Sequence, residues 1–347
     1  MATATIREVA MLAGVSIATV SRYMNAPGKV SEQTRNRVRD AIAQSGYVPN
    51  TLAQSFRRGR TNIVMVVLPS VGDPFFTEVI KGVRAAAEAT GYAILINETQ
   101  LNTLTADQVA TMVVSKQTDG IILLASMSPF GTEVLSAQNQ RLLPVVIGCE
   151  AVTPELTNYP SVHIDNKAAA SDATKYLIGQ GHKKIALICG PKTSLLTKDR
   201  ESGFRRAMSA AGLSIEKGWV VNADLSLSGA VQATVDLLDH SVRPSAIFCA
   251  TDEMAMGCMH AVRGAGLKIP QDISLMGFDD NRYAAMLNPP LTTIKQPAFE
   301  IGERVMYRLH QEIERDGDQE PESAPELLRH ELVIRESVGP PVEVARR

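Results

Sequence analysis

The chain has 347 residues, of which 45% are apolar and 21% charged, and mean hydropathy is near zero. That is an ordinary globular composition, with apolar side chains for a large core and length for two or three domains. No apolar run reaches the roughly 18 residues of a membrane span, so no membrane partner is expected.

The start of the chain lacks a basic segment followed by an apolar one, so the expected location is cytoplasmic. Cys149, Cys189, Cys249 and Cys258 are not paired as C-x-x-C, and no histidine follows at zinc spacing. They are expected to be free thiols in the core. No cofactor and no metal is expected.

The net charge of −2 hides an asymmetry. Residues 1–60 hold nine Lys/Arg against three Asp/Glu, a net of +6, which leaves −8 for the rest. A basic head on an acidic body points to a polyanion partner for the head alone.

The head comes first. Thr5 can cap a helix, with Glu8 closing a capping box. Gly14-Val15-Ser16 then makes a turn, because Gly14 permits a left-handed backbone and Ser16 caps the second helix. That helix is IATVSRYMN, with Val20 and Met24 inward and Ile17, Ala18, Ser21, Arg22 and Asn25 on the other face. A third helix begins at Ser31 and ends at Gly46. Two short helices across a tight turn, crossed by a third, make a helix-turn-helix over residues 1–48.

Residues 49–61 hold the stretch NTLAQSFRRGR, too apolar for an ordinary linker. Asn50 can start a short helix and Gly59 can end it. Two turns alone fall short of the roughly 12–15 residues at which helices become marginal in water. This hinge is therefore expected to form only when something covers Leu52 and Phe56.

From residue 62 short apolar runs alternate with amphipathic helices. NIVMVVLP, YAILINE, GIILLAS, PVVIG, SVHID, KIALICG, AIFCAT, ISLMGF and TTIKQ read as strands, with helices such as EVIKGVRAAAEATG and SGFRRAMSAAG between them. This alternation predicts parallel sheets covered by helices. NIVMVVLP leading to KGVRAAAEATGY is echoed by KIALICGP leading to SGFRRAMSAAGL. The echo predicts two similar lobes facing a cleft at the carboxyl ends of the strands.

VAMLAGVSIATVSRYMN followed by VSEQTRNRVRDAIAQSGYVPN resembles the DNA-binding head of the LacI/GalR family of bacterial regulators. DPFFTEVIKG, SKQTDGIILLASMSPF, VHIDNKAA, QGHKKIALICGP, DEMAMG and LTTIKQP extend the resemblance over essentially the whole chain, toward nucleoside-, ribose- and purine-responsive members. The implied fold is an all-α helix-turn-helix head with a hinge helix, joined to a two-lobed α/β core like that of periplasmic binding proteins. The N-terminal lobe is expected at 62–162 plus about 291–323, and the C-terminal lobe at 163–290 plus about 324–340.

The resemblance implies a DNA-facing set of Thr5, Ser16, Ile17, Ala18, Thr19, Ser21, Arg22 and Asn25 in the head. Asn50, Leu52, Ala53, Phe56, Arg57 and Arg58 complete it in the hinge. Ile17 and Ala18 stand at the positions that set operator choice. Being apolar, they suit thymine methyls. Arg22 has either guanine or a phosphate as its target, and Thr19 and Ser21 suit phosphates. Phe56 stands at the family's minor-groove wedge, with Arg57 and Arg58 on flanking phosphates.

The implied effector set is Asp73, Phe75, Phe76, Ser126, Arg200, Leu225, Thr251, Asp279 and Gln296. Asp73 binds a ligand donor or caps the following helix. Phe75 and Phe76 are aromatic walls or core. Arg200 and Asp279 grip a polyol or pair with each other. Leu225 replaces the stacking aromatic of many relatives, which weakens base stacking and leaves a bare pentose open.

The implied partners are a double-stranded operator, a nucleoside or pentose-type effector and a second copy in a homodimer. No heptad repeat follows the core, so no coiled-coil tetramer is expected. An enzyme and a transport binding protein are the alternatives. The chain shows no phosphate-loop, nucleophile-elbow or zinc-protease motif, and the basic head serves neither alternative.

Overall fold

The structure, a computed structural model, describes residues 4–47, 60–99, 111–112, 115, 117–124, 144–149, 159–315 and 324–341. It divides into two compact units, Met1–Thr61 and Asn62–Arg347.

In the first unit, helices α1 (Ile6–Ala13), α2 (Ile17–Asn25) and α3 (Glu32–Ser45) enclose a small core of Val9, Ala10, Ala13, Val20, Val38 and Ala41. Local chemistry sets each boundary. The Thr5 hydroxyl accepts from the Glu8 amide at 3.4 Å, and the Glu8 carboxylate accepts from the Thr5 amide at 2.7 Å. Gly14 closes α1 at φ +60°, and Gly46 closes α3 at φ +64°. The expected helix-turn-helix is present.

The second unit carries two sheets of six strands each. Its strands are β1 (Ile63–Leu68), β2 (Ala93–Glu98), β3 (Gly120–Leu123), β4 (Val145–Gly148), β5 (Ser161–Ile164), β6 (Ile185–Cys189), β7 (Val220–Asn222), β8 (Ala246–Cys249), β9 (Ser274–Asp279), β10 (Thr292–Lys295), β11 (Glu326–Leu328) and β12 (Glu331–Val333). The first sheet runs β2-β1-β3-β4-β5-β11, and the second runs β7-β6-β8-β9-β10-β12. The same doubly wound order appears twice, as the sequence echo predicts. Among the described residues all pairings are parallel except β10 with β12.

Helices α4 (Pro74–Thr90), α5 (Asn166–Gly179), α6 (Leu195–Ala210), α7 (Leu227–Leu238), α8 (Asp252–Gly264) and α9 (Ala298–Glu314) cover the sheets. The echoed glycines have a packing reason. A Cβ on Gly82 of α4 would stand 2.0 Å from the Phe299 carbonyl of α9, and one on Gly302 of α9 would stand 2.0 Å from the Val79 carbonyl of α4. In the second lobe a Cβ on Gly203 of α6 would stand 2.2 Å from the Lys167 carbonyl of α5. In both lobes the absent side chain lets one helix lie backbone-to-backbone on another.

The hydrogen-bond registers correct the expected lobe boundaries. His163 and Ile164 pair within the first sheet, so the first crossover follows residue 164. The β10 strand was expected in the N-terminal lobe, but it pairs parallel with β9 and belongs to the second. The β11 strand was expected in the C-terminal lobe, but it pairs with β5 and belongs to the first. The chain thus crosses between lobes three times, after β5, after β10 and after β11. All four cysteines are free and buried. Among the described residues no helix is long and apolar enough to cross a membrane.

Replacing Gly302 by Ala forces the α4–α9 contact apart. Overpacking of this kind costs about 1–3 kcal/mol. A lower urea midpoint, with head and cleft chemistry untouched, is the expected result; an unchanged midpoint overturns the close-packing account.

Candidate functional site: an exposed reading helix and a buried interlobe anchor

In the head, Val20 is fully buried while Ile17, Ala18 and Arg22 are exposed. The apolar, inward face of α2 therefore leaves the predicted reading residues outward. Thr19 and Ser21 are half-buried. Thr5 and Ser16 are occupied as caps, and the Ser16 hydroxyl accepts from the Thr19 amide at 3.1 Å. Asn25 lies in the last turn of α2. Arg37 has a role that the charge count did not reveal. Its guanidinium donates to the Ala13 and Gly14 carbonyls, the latter at 2.9 Å, and so pins the turn between α1 and α2. Asn50, Leu52, Ala53, Phe56, Arg57, Arg58 and Ser126 lie outside the described residues.

In the second unit the anchors gather where strands end. Arg200, in α6, is 1% exposed. Its Nε donates to Asn166 Oδ1 at 3.0 Å, it donates to the Ala250 carbonyl, and its carbon centre lies 3.6 Å from the Phe278 ring centroid. Asp279 ends β9 and is 7% exposed. Its carboxylate sits 3.9 Å from Arg200 and accepts from Gln296 Nε2 at 2.7 Å. Asn166 opens α5 just after the first crossover, and Gln296 follows β10 at the second. The anchors are therefore bonded to two of the three crossing segments.

Asp73 faces this cluster from the first lobe. It caps α4 by accepting from the Phe75 amide at 2.8 Å. The two open readings of Asp73 are compatible, because one oxygen caps while Arg200 still acts on its charge. Phe75 is 7% exposed and belongs to the first-lobe core, and half-buried Phe76 meets it edge-on at 5.2 Å. Pro74 and Phe75 of the first lobe, with Asp279, Asn281 and Gln296 of the second, line a crevice of about 330 Å³.

Two predicted residues sit differently from a simple pocket lining. The Thr251 hydroxyl accepts from the Met254 amide at 3.1 Å as the cap of α8. Leu225, at φ +65°, packs on the second-lobe core and over Gly190. Two residues enter that the sequence pattern did not single out: Asn166 supports Arg200, and Thr197 lies one turn before it. Asp252, which the resemblance places beside Thr251 among pocket-aligned positions, is fully buried and bonded to the Asn281 amide beneath Asp279. The signal that could have found Asn166 is its place at the start of the helix after β5, since ligands bind beyond strand ends.

Three buried polar atoms here have no partner: Asn166 Nδ2, Thr197 Oγ1 and Gln296 Oε1. Leaving such a group unmade costs about 1–3 kcal/mol. Two of these belong to residues bonded to Arg200 or Asp279, and the third lies one turn before Arg200.

Acids outnumber cations. Burial pushes the Asp279 carboxyl well above the ordinary range, although Arg200 draws it back. Burial also raises Asp73, opposed by the Phe75 amide and Arg200. Asp252 is pushed up to about 7 by burial, against hydrogen bonds from Thr293 and Asn281. Among the described residues no group of His, Cys, Asp or Glu could hold a metal ion.

Comparison with known proteins decides the family. The pattern for bacterial regulatory proteins of the lacI family matches residues 5–50, and that for periplasmic binding protein-like domains matches 174–338. The HTH-type transcriptional repressor CytR of Escherichia coli (strain K12) is 37% identical over 334 residues, covering 96% of each chain. This chain belongs to the LacI family. The ribose operon repressor of the same organism is 35% identical, over 86% of this chain and 90% of its own. The solved lac repressor dimer bound to operator and the anti-inducer ONPF aligns with TM-score 0.81 at 25% identity, over 97% of this chain and all of its own. The chain is thus a DNA-binding transcriptional regulator of the LacI family and not an enzyme. Its Arg22 lies on α2 within the matched head, and its Arg200 and Asp279 lie within the matched binding-protein-like core.

The buried carboxyl of Asp252 gives a pH signature. An unfolded Asp252 titrates near the ordinary 3.8, and the folded one near about 7. Between those values the folded chain holds a proton that the unfolded chain has lost. Its stability contribution is therefore full below 3.8 and declines as pH rises to about 7. Relative to Asp252→Asn, the wild type should lose on the order of a few kcal/mol between pH 4 and 7 by urea denaturation. Parallel profiles for the two proteins overturn the assignment.

Proposed function

We propose that this regulator is a cytoplasmic repressor that binds a pseudo-palindromic operator as a homodimer. A neutral, hydroxyl-rich ligand of nucleoside or pentose type in the interlobe cleft switches it. The observation that carries the ligand reading is the buried Arg200–Asp279 pair with Asp73 opposite. A bidentate carboxylate suits vicinal hydroxyls, and a guanidinium suits a ring or hydroxyl oxygen. A ligand carboxylate or phosphate would meet several acids and one buried cation, so acidic ligands are disfavoured.

The amides of Asn166 and Gln296 add unpartnered donor and acceptor groups of the kind a polyol satisfies. Leu225 offers a ring or base less stacking than an aromatic would, which favours a bare pentose over a nucleoside. A relative is named for the ribose operon, and another was solved as a dimer on operator DNA. Both support the reading for this chain.

Two-fold protein symmetry mirrors two operator half-sites. Ile17 and Ala18 then meet thymine methyls, and Arg22 meets guanine or phosphate. The hinge at 49–61 folds when covered by its dimer mate and DNA, with Phe56 as the minor-groove wedge and Arg57 and Arg58 on phosphates. Ligand in the cleft changes the lobe angle and so permits or forbids that hinge. The coupling is reciprocal, so operator must change effector affinity by the same factor.

A thermal-shift panel of pentoses, nucleosides, free bases and sugar acids tests the ligand reading. A pentose or nucleoside should raise the melting temperature by mass action, and sugar acids should not. Stabilisation by sugar acids alone sinks it. For the hinge, Phe56→Ala should weaken operator binding at fixed salt by about tenfold or more and leave effector affinity intact. Equal operator affinity removes the wedge.

A further inference from the structure

The reading of Asp279 as an effector anchor raises a local question. Asp279 has φ +119° and Asp280 has φ +53°, both in the left-handed region. Side-chain-bearing residues hold such angles only where the surroundings over-determine them. Something must therefore wind this turn and keep it wound.

The candidate is Asp252, the first residue of α8, whose side chain is fully buried. Its carboxylate lies under the turn. Oδ1 accepts from the Thr293 hydroxyl at 2.6 Å, and Oδ2 accepts from the Asn281 amide at 2.8 Å. The Phe278 amide lies close enough to favour its charged form. Phe278 and Asn281 flank the two left-handed residues, so one carboxylate gathers both ends of the turn. Thr293 brings in β10, whose continuation carries Gln296, the residue that donates to Asp279 at 2.7 Å. Gly277 makes the space: a Cβ there would stand 2.2 Å from Asp252 Oδ1. From outside, Arg335 holds Asp280 at 2.6 Å.

We propose that Asp252 is a positioning residue for the effector anchor, a buried acceptor around which the 278–281 turn is wound so that Asp279 and Gln296 meet in the cleft. The proposal rests on the effector reading of Asp279, but its geometry is tested without an effector. Asp252 touches no ligand. It acts by satisfying backbone donors that the left-handed turn would otherwise leave unpaired.

Asp252→Leu keeps the approximate volume and removes both acceptors. Asp252→Asn keeps one acceptor oxygen for the backbone donors, and the Thr293 hydroxyl can turn its proton toward the Ile294 carbonyl, 3.5 Å away, and accept from the new amide. Full-length unliganded protein is followed by hydrogen–deuterium exchange at the Phe278 and Asn281 amides. D-Ribose and cytidine affinities are measured by calorimetry.

Asp252→Leu should speed exchange at both amides and weaken binding of whichever probe the wild type binds, each by about tenfold or more, since lost acceptors leave buried donors unmade. Asp252→Asn should keep both readouts within about threefold of wild type. A general loss of stability would not be rescued selectively in this way. Wild-type protection in Asp252→Leu overturns the proposal, as does an Asp252→Asn variant as impaired as the Leu variant. If Asp252→Leu does not fold, Thr293→Val removes one donor and must quicken exchange at Asn281; unchanged protection overturns the proposal. If the wild type binds neither probe, the ligand reading fails, while the exchange data still decide what Asp252 does.

Discussion

One guanidinium holds the interior of the cleft together. Arg200 is removed from water, stacked on Phe278, bonded to Asn166 and the Ala250 carbonyl, and close to Asp279. These contacts come from β9, the residue just beyond β8 and the start of α5, so a single side chain ties together the strand ends of the second lobe. A buried ion pair is weak evidence for stability, because desolvation offsets much of its attraction. Its effect here is directional. Guanidinium and carboxylate are fixed in orientation at the strand ends that face the first lobe's Asp73.

That fixation extends to the connections between lobes. Asn166 follows the first crossover and Gln296 the second, and each amide uses one end on an anchor while its other end has no partner. The polar atoms left over thus sit on two of the three segments that cross between the lobes.

Much of this was legible in the sequence, at the level where local chemistry decides. Thr5, Glu8, Gly14, Ser16 and Gly46 fix the head's helix ends through bonds within a few residues, and the structure shows those bonds. The long apolar strands were readable for the same reason. The short strands β7, β11 and β12, of three residues each, carry no periodicity to read. Lobe membership of β10 and β11 is a matter of pairing partners far away in the chain. Residue types singled out Arg200, Asp279 and Gln296, which the structure brings together, while the cap that Thr251 gives α8 was not foreseen. The support given by Asn166 and Asp252 depends on a left-handed turn and buried donors, which only the folded backbone reveals.

The pinned turn of the head separates two duties. Arg37 and Gly14 hold the angle between α1 and α2, and the core beneath them uses Val9, Val20 and Val38. Ile17, Ala18 and Arg22 take no part in that core. The surface that meets DNA can therefore change its chemistry one residue at a time while the scaffold stays folded. Arg200 has no such freedom, since a change there undoes the packing around it. In this architecture an outward position of α2 can be replaced singly, whereas a replacement at Arg200 calls for compensating changes in Phe278, Asn166 and the backbone at Ala250.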